Sequence, residues 1–415
     1  MKKILLGVCA TFALYTSNAQ DCLERYKDEI FNSVTVTTRT YSTTNQLMDI
    51  YTPNGDTATS RPVAVWIHGG TFVSGSKTDA DVVVLCNNFA KRGYVTASIN
   101  YSLTSIINIL DSTTAIPPVM KAVMEAKAAV RYLRLDSNAT TFGIDTSIIF
   151  IGGSSAGGVL AVNYAFLDTV SKATPLLLSA VSAYADTNGA YGYDTLEGNL
   201  GNPGPSSHVQ GVVSLAGGIL YTNWIDGKTN IPVVLCQGTD DNVVPFDCGQ
   251  VEGGASDIVL CGSNAMSAAL CTANIPFARY DFQGAQHVPW DANNAVNDSM
   301  TILDSLTANF LFNYVPHSTC SGIPAFNCNP TGIKTIENDR LLNVYPNPAQ
   351  NVLNISVENN AAEIKTVRIF NVLGQTAYNG NETKISTQAM QNGIYFVEVT
   401  FNDNQRAVKR VEVLK

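Results

Sequence analysis

Two kinds of apolar spacing divide the chain. Val34 to Thr38 and Leu47 to Tyr51 alternate apolar with polar residues and are rich in β-branched types, which predicts an opening antiparallel hairpin. The pattern then changes to nearly continuous apolar runs at 63–67, 94–99, 148–151, 209–215, 231–236 and 277–282. Runs of that kind predict strands buried on both faces, as in a parallel sheet. Between them lie stretches at helical spacing. The clearest is Pro117 to Leu135, where Val119, Val123, Ala126, Val130 and Leu133 recur behind a proline start. Strands alternating with helices predict a doubly wound, mostly parallel α/β sheet.

Two segments break the rhythm. Residues 183–207 are rich in Gly, Tyr, Asn, Asp and Ser, and residues 247–274 form a cysteine-bearing insertion. Both flank strand ends and are expected to shape a pocket. The last helix is expected to end near Tyr314. Residues 316–340 read as a polar linker. Beyond them the period becomes that of strands at 351–357, 366–370, 393–400 and 407–414, with turns at Asn379-Gly380 and Asn392-Gly393. Four or five short strands predict a small all-β sandwich over 341–415.

At the other end, Lys2 and Lys3 precede a short apolar run from Ile4 to Tyr15 and the small residues Ser17-Asn18-Ala19. This is the pattern of a signal peptide over 1–19. The run is too short for a membrane anchor, which takes roughly 20 apolar residues, and no later segment is long and apolar enough to span a bilayer. The remaining chain divides into a catalytic domain at 20–315, the linker at 316–340 and the sandwich at 341–415.

Composition narrows the function classes. The 415 residues are 45% hydrophobic and 14% charged, with a formal net charge of −9. That describes a globular protein with a sizeable core. Its acidity repels phosphate backbones, so nucleic acid is not an expected partner. Export also gives meaning to the cysteines that remain after Cys9 is removed, namely Cys22, Cys86, Cys236, Cys248, Cys261, Cys271, Cys320 and Cys328. An oxidising compartment favours disulfides. The local candidates are Cys320 with Cys328 and a pair within Cys248, Cys261 and Cys271. Cys236 lies in an apolar run and suits an inert buried thiol.

Gly153-Ser154-Ser155-Ala156-Gly157 has the G-x-S-x-G pattern, follows an apolar strand and precedes a helix-like stretch. The two glycines permit a sharp strand-to-helix turn that lifts the Ser155 hydroxyl above the sheet. The bland alternative is a Gly/Ser-rich loop. His68-Gly69-Gly70-Thr71-Phe72 follows another strand. The amides of Gly70, Thr71 and Ala156 are the expected oxyanion-hole donors, because acyl transfer puts negative charge on the former carbonyl oxygen. The bland alternative here is a tight turn with a structural histidine.

A serine nucleophile needs a base, and the chain has four histidines. His68 belongs to the glycine loop, His208 precedes a strand and His317 lies in the linker. His287 follows the last strand of the sheet and precedes the last helix, so it keeps the order Ser, Asp, His. The orienting acid falls in Gly238-Thr-Asp-Asp-Asn-Val-Val-Pro245. Asp241 is the preferred residue. Adjacent Asp240 is the rival, and spacing alone does not separate them. No metal constellation is visible and the chemistry needs no cofactor.

Residues 46–314 resemble the carboxylesterase and lipase branch of the α/β-hydrolases, especially small exported esterases of the feruloyl and acetyl-xylan type. The resemblance is carried by Met48-Asp-Ile-Tyr-Thr-Pro53, Trp66-Ile-His-Gly-Gly-Thr-Phe72, Arg92-Gly-Tyr-Val95 with Ile99-Asn-Tyr101, and Gly153-Ser-Ser-Ala-Gly-Gly158. It implies a Ser155, Asp241, His287 triad acting on a carboxylic ester, and its Thr-x-Asp pattern selects Asp241. Three positions depart from the family: Gln237 stands where histidine is usual, Thr71 replaces a glycine, and Ser102 replaces an arginine. Residues 341–415 resemble the type A sorting domain of the type IX secretion system. That match rests on Val344-Tyr-Pro-Asn-Pro348, Val367-Arg-Ile-Phe-Asn-Val-Leu-Gly-Gln375, Gly393-Ile-Tyr-Phe-Val397 and Lys409-Arg-Val-Glu-Val-Leu-Lys415. It implies the type IX machinery as a partner and a secreted or cell-surface product. A carbohydrate-binding sandwich is the alternative, and no exposed aromatic triplet favours it.

Overall fold

A computed structural model describes residues 24–182, 184, 196–290, 298–316, 342–357, 363–371, 376–402 and 406–415. The expected signal peptide, Cys22, His317, nearly all of the linker, Cys320 and Cys328 lie outside these residues.

The main sheet has eight strands in the order β1-β2-β4-β3-β5-β6-β7-β10. They are β1 (Val34–Thr40), β2 (Leu47–Pro53), β3 (Arg61–Ile67), β4 (Val95–Ile99), β5 (Ile144–Ser154), β6 (Gly211–Leu215), β7 (Val233–Gly238) and β10 (Phe277–Phe282). The antiparallel hairpin β1–β2 joins β4 antiparallel, and every other pairing is parallel. The two remaining strands of this region, β8 (Cys248–Gln250) and β9 (Val259–Cys261), pair with each other in the cysteine-bearing insertion.

The apolar runs are continuous because successive side chains enter different layers. Val63, Val65 and Ile67 join one core with Ile149, Ile151, Val233 and Leu235, whereas Ala64 and Trp66 join the other with Phe150 and Val234. The first core is covered by α3 (Ser112–Arg134), α5 (Ala156–Phe166), α6 (Pro175–Ser182) and α7 (Ser263–Thr272). The second is covered by α1 (Ala80–Lys91) and α8 (Asp298–Leu311). Each buried Val, Leu or Ile contributes about 1.5–3 kcal/mol, so two covered faces explain why no strand from β3 to β7 alternates. The short helices α2 (Ile106–Ile109) and α4 (Asp136–Phe142) complete the set among the described residues.

One helix differs from its expected bounds. α3 starts at Ser112, not at Pro117. The Asp111 side chain caps it by accepting from the amides of Thr113 and Thr114. This cap offsets part of the cost of the two backbone bonds that Pro117 and Pro118 cannot donate inside the helix, and the burial of Met120, Val123, Val130 and Leu133 supplies the rest.

Residues 342–413 build their own core from Leu342, Leu353, Val367, Ile369, Val397 and Val411, among others. Seven strands surround it: β11 (Leu342–Tyr345), β12 (Val352–Val357), β13 (Ile364–Asn371), β14 (Thr376–Gly380), β15 (Lys384–Ser386), β16 (Gly393–Phe401) and β17 (Arg406–Val413). They form a three-stranded sheet, β11-β12-β15, and a four-stranded sheet, β14-β13-β16-β17, all antiparallel. Seven strands exceed the expected four or five because β11, β14 and β15 are short. The turn expected at Asn379-Gly380 is instead the end of β14, where these residues pair with Arg368 and Val367. Sheet pairing outweighs local turn propensity there. Among the described residues, no helix is long and apolar enough to cross a membrane.

Candidate active site

Ser155, Asp241 and His287 follow the carboxyl ends of β5, β7 and β10, the edge at which open α/β sheets form their crevice. Ser155 occupies a backbone conformation of φ 54° and ψ −118° and acts as the N-cap of α5. A non-glycine residue held there stores on the order of 1–3 kcal/mol of strain. The surrounding glycines make the bend geometrically available. A Cβ on Gly157 would lie 2.0 Å from the Ile67 carbonyl oxygen, and one on Gly153 would lie 2.5 Å from the Gly157 backbone. Strand β3 and helix α5 therefore touch through bare backbone.

The three side chains meet. His287 Nε2 lies 2.7 Å from Ser155 Oγ, and His287 Nδ1 lies 2.8 and 3.0 Å from the two Asp241 oxygens. The hydroxyl is partly exposed, the imidazole half-buried and the Asp241 carboxylate fully buried. Asp241 Oδ1 also accepts from the amides of Val243 and Val244 at 2.9 and 3.0 Å. Asp240 is exposed, and its carboxylate accepts from the Thr239 hydroxyl at 3.3 Å. Its amide donates to the Ala285 carbonyl, so this residue joins the two loops while its neighbour meets the histidine. A Cβ on Gly238 would lie 2.2 Å from that same carbonyl, which explains the glycine at the end of β7.

Gln237 was legible only as a departure from a family pattern, and the structure gives it a position. Fully buried, it donates from Nε2 to Asp241 Oδ2 at 3.2 Å and to the Val244 carbonyl at 2.8 Å. Its Oε1 accepts from the Ser263 amide at 2.8 Å. Its donors serve the acid and the loop that presents it, and its acceptor serves the first residue of α7. Trp290 was also missed. Its Nε1 donates to Ser154 Oγ at 3.2 Å, which anchors the residue beside the nucleophile.

The glycine loop turns through three successive residues of positive φ: Gly70 at 95°, Thr71 at 54° and Phe72 at 60°. A Cβ on Gly70 would meet the Ser74 carbonyl oxygen at 2.3 Å. Among the described residues, the Gly70 and Thr71 amides donate to no protein acceptor. Ala156 is the first residue of α5, so its amide lacks an intrahelical acceptor. His68 is structural in its placement. It is buried, stacks on Tyr101 at 4.3 Å, and has Nδ1 2.8 Å from the Gly69 carbonyl oxygen. Burial lowers its pKa. Tyr101 Oη donates to the His68 and Gly69 carbonyls at 3.2 and 3.1 Å, holding the loop from behind. His208 is exposed and precedes the amino end of β6, at the opposite edge of the sheet from the triad.

Two hollows open on Ser155. A narrow apolar one of about 80 Å³ includes Ile116, Val119 and Val159 in its wall, and a wide polar one of about 630 Å³ includes Gly70, Asp79 and His287. Thr71, Ser155, Val243 and Glu252 line both. The cysteine-bearing insertion supplies much of the apolar wall through Val251, Ile258 and Leu260. Cys248 and Cys261 form a disulfide directly across β8 and β9. Cys271 is disulfide-bonded as well, while Cys86 and Cys236 are buried free thiols. The described part of the loop expected over 183–207 lines neither hollow. It is tied to α3, where Lys127 donates to Leu196 O and Arg131 to Gly201 O.

Residues 48–219 match the BD-FAE family, and residues 343–413 match the secretion system C-terminal sorting domain. The chain thus carries an esterase-type α/β-hydrolase domain followed by a secretion sorting domain. Mouse carboxylesterase 3B is 34% identical over 125 residues, which is 30% of this chain and 21% of that protein. Cholinesterase 2 of Branchiostoma lanceolatum is 34% identical over 110 residues, 26% of this chain and 31% of that protein. The chain therefore spans less than a third of the length of either relative. Among solved structures, a truncated carbohydrate esterase from gut microbiota aligns at TM-score 0.47 and 21% identity, over 67% of this chain and 98% of that one. Esterase 2 of Thermogutta terrifontis aligns at TM-score 0.46 and 21% identity, over 68% and 94%.

Proposed function

We propose that the protein is a secreted serine hydrolase of carboxylic esters that works through an acyl-serine intermediate. Ser155 Oγ attacks the ester carbonyl carbon while its proton passes to His287 Nε2. Asp241 holds the Nδ1–H tautomer and stabilises the imidazolium. The amides of Gly70, Thr71 and Ala156 receive the charge on the former carbonyl oxygen. When the tetrahedral adduct collapses, the bond to the alcohol oxygen breaks and His287 returns the proton to that oxygen. Water then cleaves the acyl-serine by the same steps, with His287 as base.

The reading rests on one observation, the continuous Ser155–His287–Asp241 hydrogen-bond chain. A fluorophosphonate probe tests it. Wild type is expected to be labelled and Ser155→Ala to remain unlabelled, and hydrolysis of short p-nitrophenyl esters is expected to be lost in the same variant.

Two other readings use the same chain differently. A serine exopeptidase of the same fold would need an additional recognition domain, and aminopeptidase assays separate it. A catalytically dead adhesion module would leave wild type unlabelled. Export through residues 1–19, a catalytic domain at 20–315, a linker at 316–340 and sorting by 341–415 through the type IX machinery complete the proposal. Its expected destination is the medium or the cell surface.

A further inference from the structure

The two hollows differ in a way that orients the substrate. The reaction proposed above, on which this inference rests, requires His287 to protonate the departing alcohol oxygen. Among the described residues, His287 lines the wide polar cleft and not the narrow apolar pocket. The alcohol must therefore leave into the cleft, and the acyl chain must point the other way, into the pocket. There it meets Ile116 and Val119 of α3, Val159 of α5 and Ile258 of the disulfide-tied insertion.

Size then restricts the acid. The pocket holds about 80 Å³, whereas a cavity that accepts benzene measures about 150 Å³. An aromatic ring exceeds that space and would have to extend out of it toward the cleft, and an acetyl group leaves most of the apolar wall untouched. The cleft, at about 630 Å³ and with Asp79 and Glu252 on its wall, places no comparable limit on the alcohol and suits a polar one that carries no negative charge. We infer that the substrate is an ester of a short unbranched aliphatic acid, of the propionyl to butyryl class, with a bulky polar alcohol.

The experiment is a series of p-nitrophenyl esters from acetyl to decanoyl, plus one phenylpropenoyl ester. It is run on the full secreted chain, on Val119→Phe to fill the pocket and on Ile258→Ala to widen it. A methylene seated in an apolar pocket is worth about tenfold or more in rate. Wild-type kcat/KM is therefore expected to peak at butyryl, at least about tenfold above acetyl, with decanoyl and phenylpropenoyl far lower. Val119→Phe is expected to reverse the butyryl-to-acetyl ratio, and Ile258→Ala to move the peak to a longer chain. Circular dichroism and Tm establish that both variants are folded. Ser155-dependent hydrolysis that favours acetyl or phenylpropenoyl overturns the inference and leaves the esterase reading standing. Absence of hydrolysis and of fluorophosphonate labelling in wild type overturns both.

Discussion

His287 Nε2 lies 2.7 Å from Ser155 Oγ although 132 residues separate them in the chain. Strands β5 and β10 hold them together from positions three places apart in the sheet. The loops after β7 and β10 close the gap: Asp240 N donates to Ala285 O at 3.0 Å, and Gly284 N donates to Thr239 Oγ1 at 2.8 Å.

The two adjacent acids are expected to differ sharply. Asp241→Asn removes the charge beside His287 Nδ1 and is expected to lower kcat by about three to four orders of magnitude. Asp240→Asn alters an exposed side chain and is expected to change kcat by less than about twofold. Steady-state kinetics on a short ester measures both.

Gln237→Leu preserves bulk but removes the donor to Asp241 and the acceptor for the buried Ser263 amide. An unsatisfied buried group costs about 1–3 kcal/mol. The variant is expected to show a lower Tm together with a reduced kcat, and Gln237→His is expected to recover kcat better than Gln237→Leu. Equal losses in the two variants would mean that only packing matters at this position.

Acid is expected to weaken the fold through His68, which is buried. Burial lowers the pKa of His68 from an ordinary value of 6.5. Below that pH the unfolded chain binds protons that the folded chain excludes. The stability is complete above pH 6.5 and declines as pH falls toward the folded values. Tm recorded from pH 7.5 to pH 5 is expected to fall less steeply in His68→Gln than in wild type.

The Cys248–Cys261 bridge closes a loop of sequence separation 13. Its removal in Cys248→Ser/Cys261→Ser is expected to cost about 2–4 kcal/mol and to raise KM, because Val251, Ile258 and Leu260 form part of the pocket wall. In the native protein, Cys86 and Cys236 are expected to resist thiol reagents, since both are buried and burial raises both thiol pKa values. Chemical denaturation, ester kinetics and thiol counting check these outcomes.

The strands of the main sheet were legible because burial on both faces leaves an unbroken apolar run, as in Val63 to Ile67. The meeting of Ser155 and His287 was legible because the glycine bend and strand order restrict where such residues fall, whereas only the family resemblance separated Asp241 from Asp240. Three features were not readable. The start of α3 was hidden because Asp111 caps the helix upstream of two prolines. Gln237 carried no signal beyond its oddity, since its role depends on the Ser263 amide, 26 residues away. Glu252 reaches the site through Thr71 Oγ1, which donates to it at 3.3 Å across 181 residues, and no local pattern encodes that contact.

Mass spectrometry of the protein quenched during turnover of p-nitrophenyl butyrate tests the central claim most directly. The expected result is a butyryl group on the peptide containing Ser155, formed with a burst of p-nitrophenol equal to the enzyme concentration and absent from Ser155→Ala. Ester cleavage that proceeds with no acyl group on Ser155, or that survives in Ser155→Ala, would contradict it.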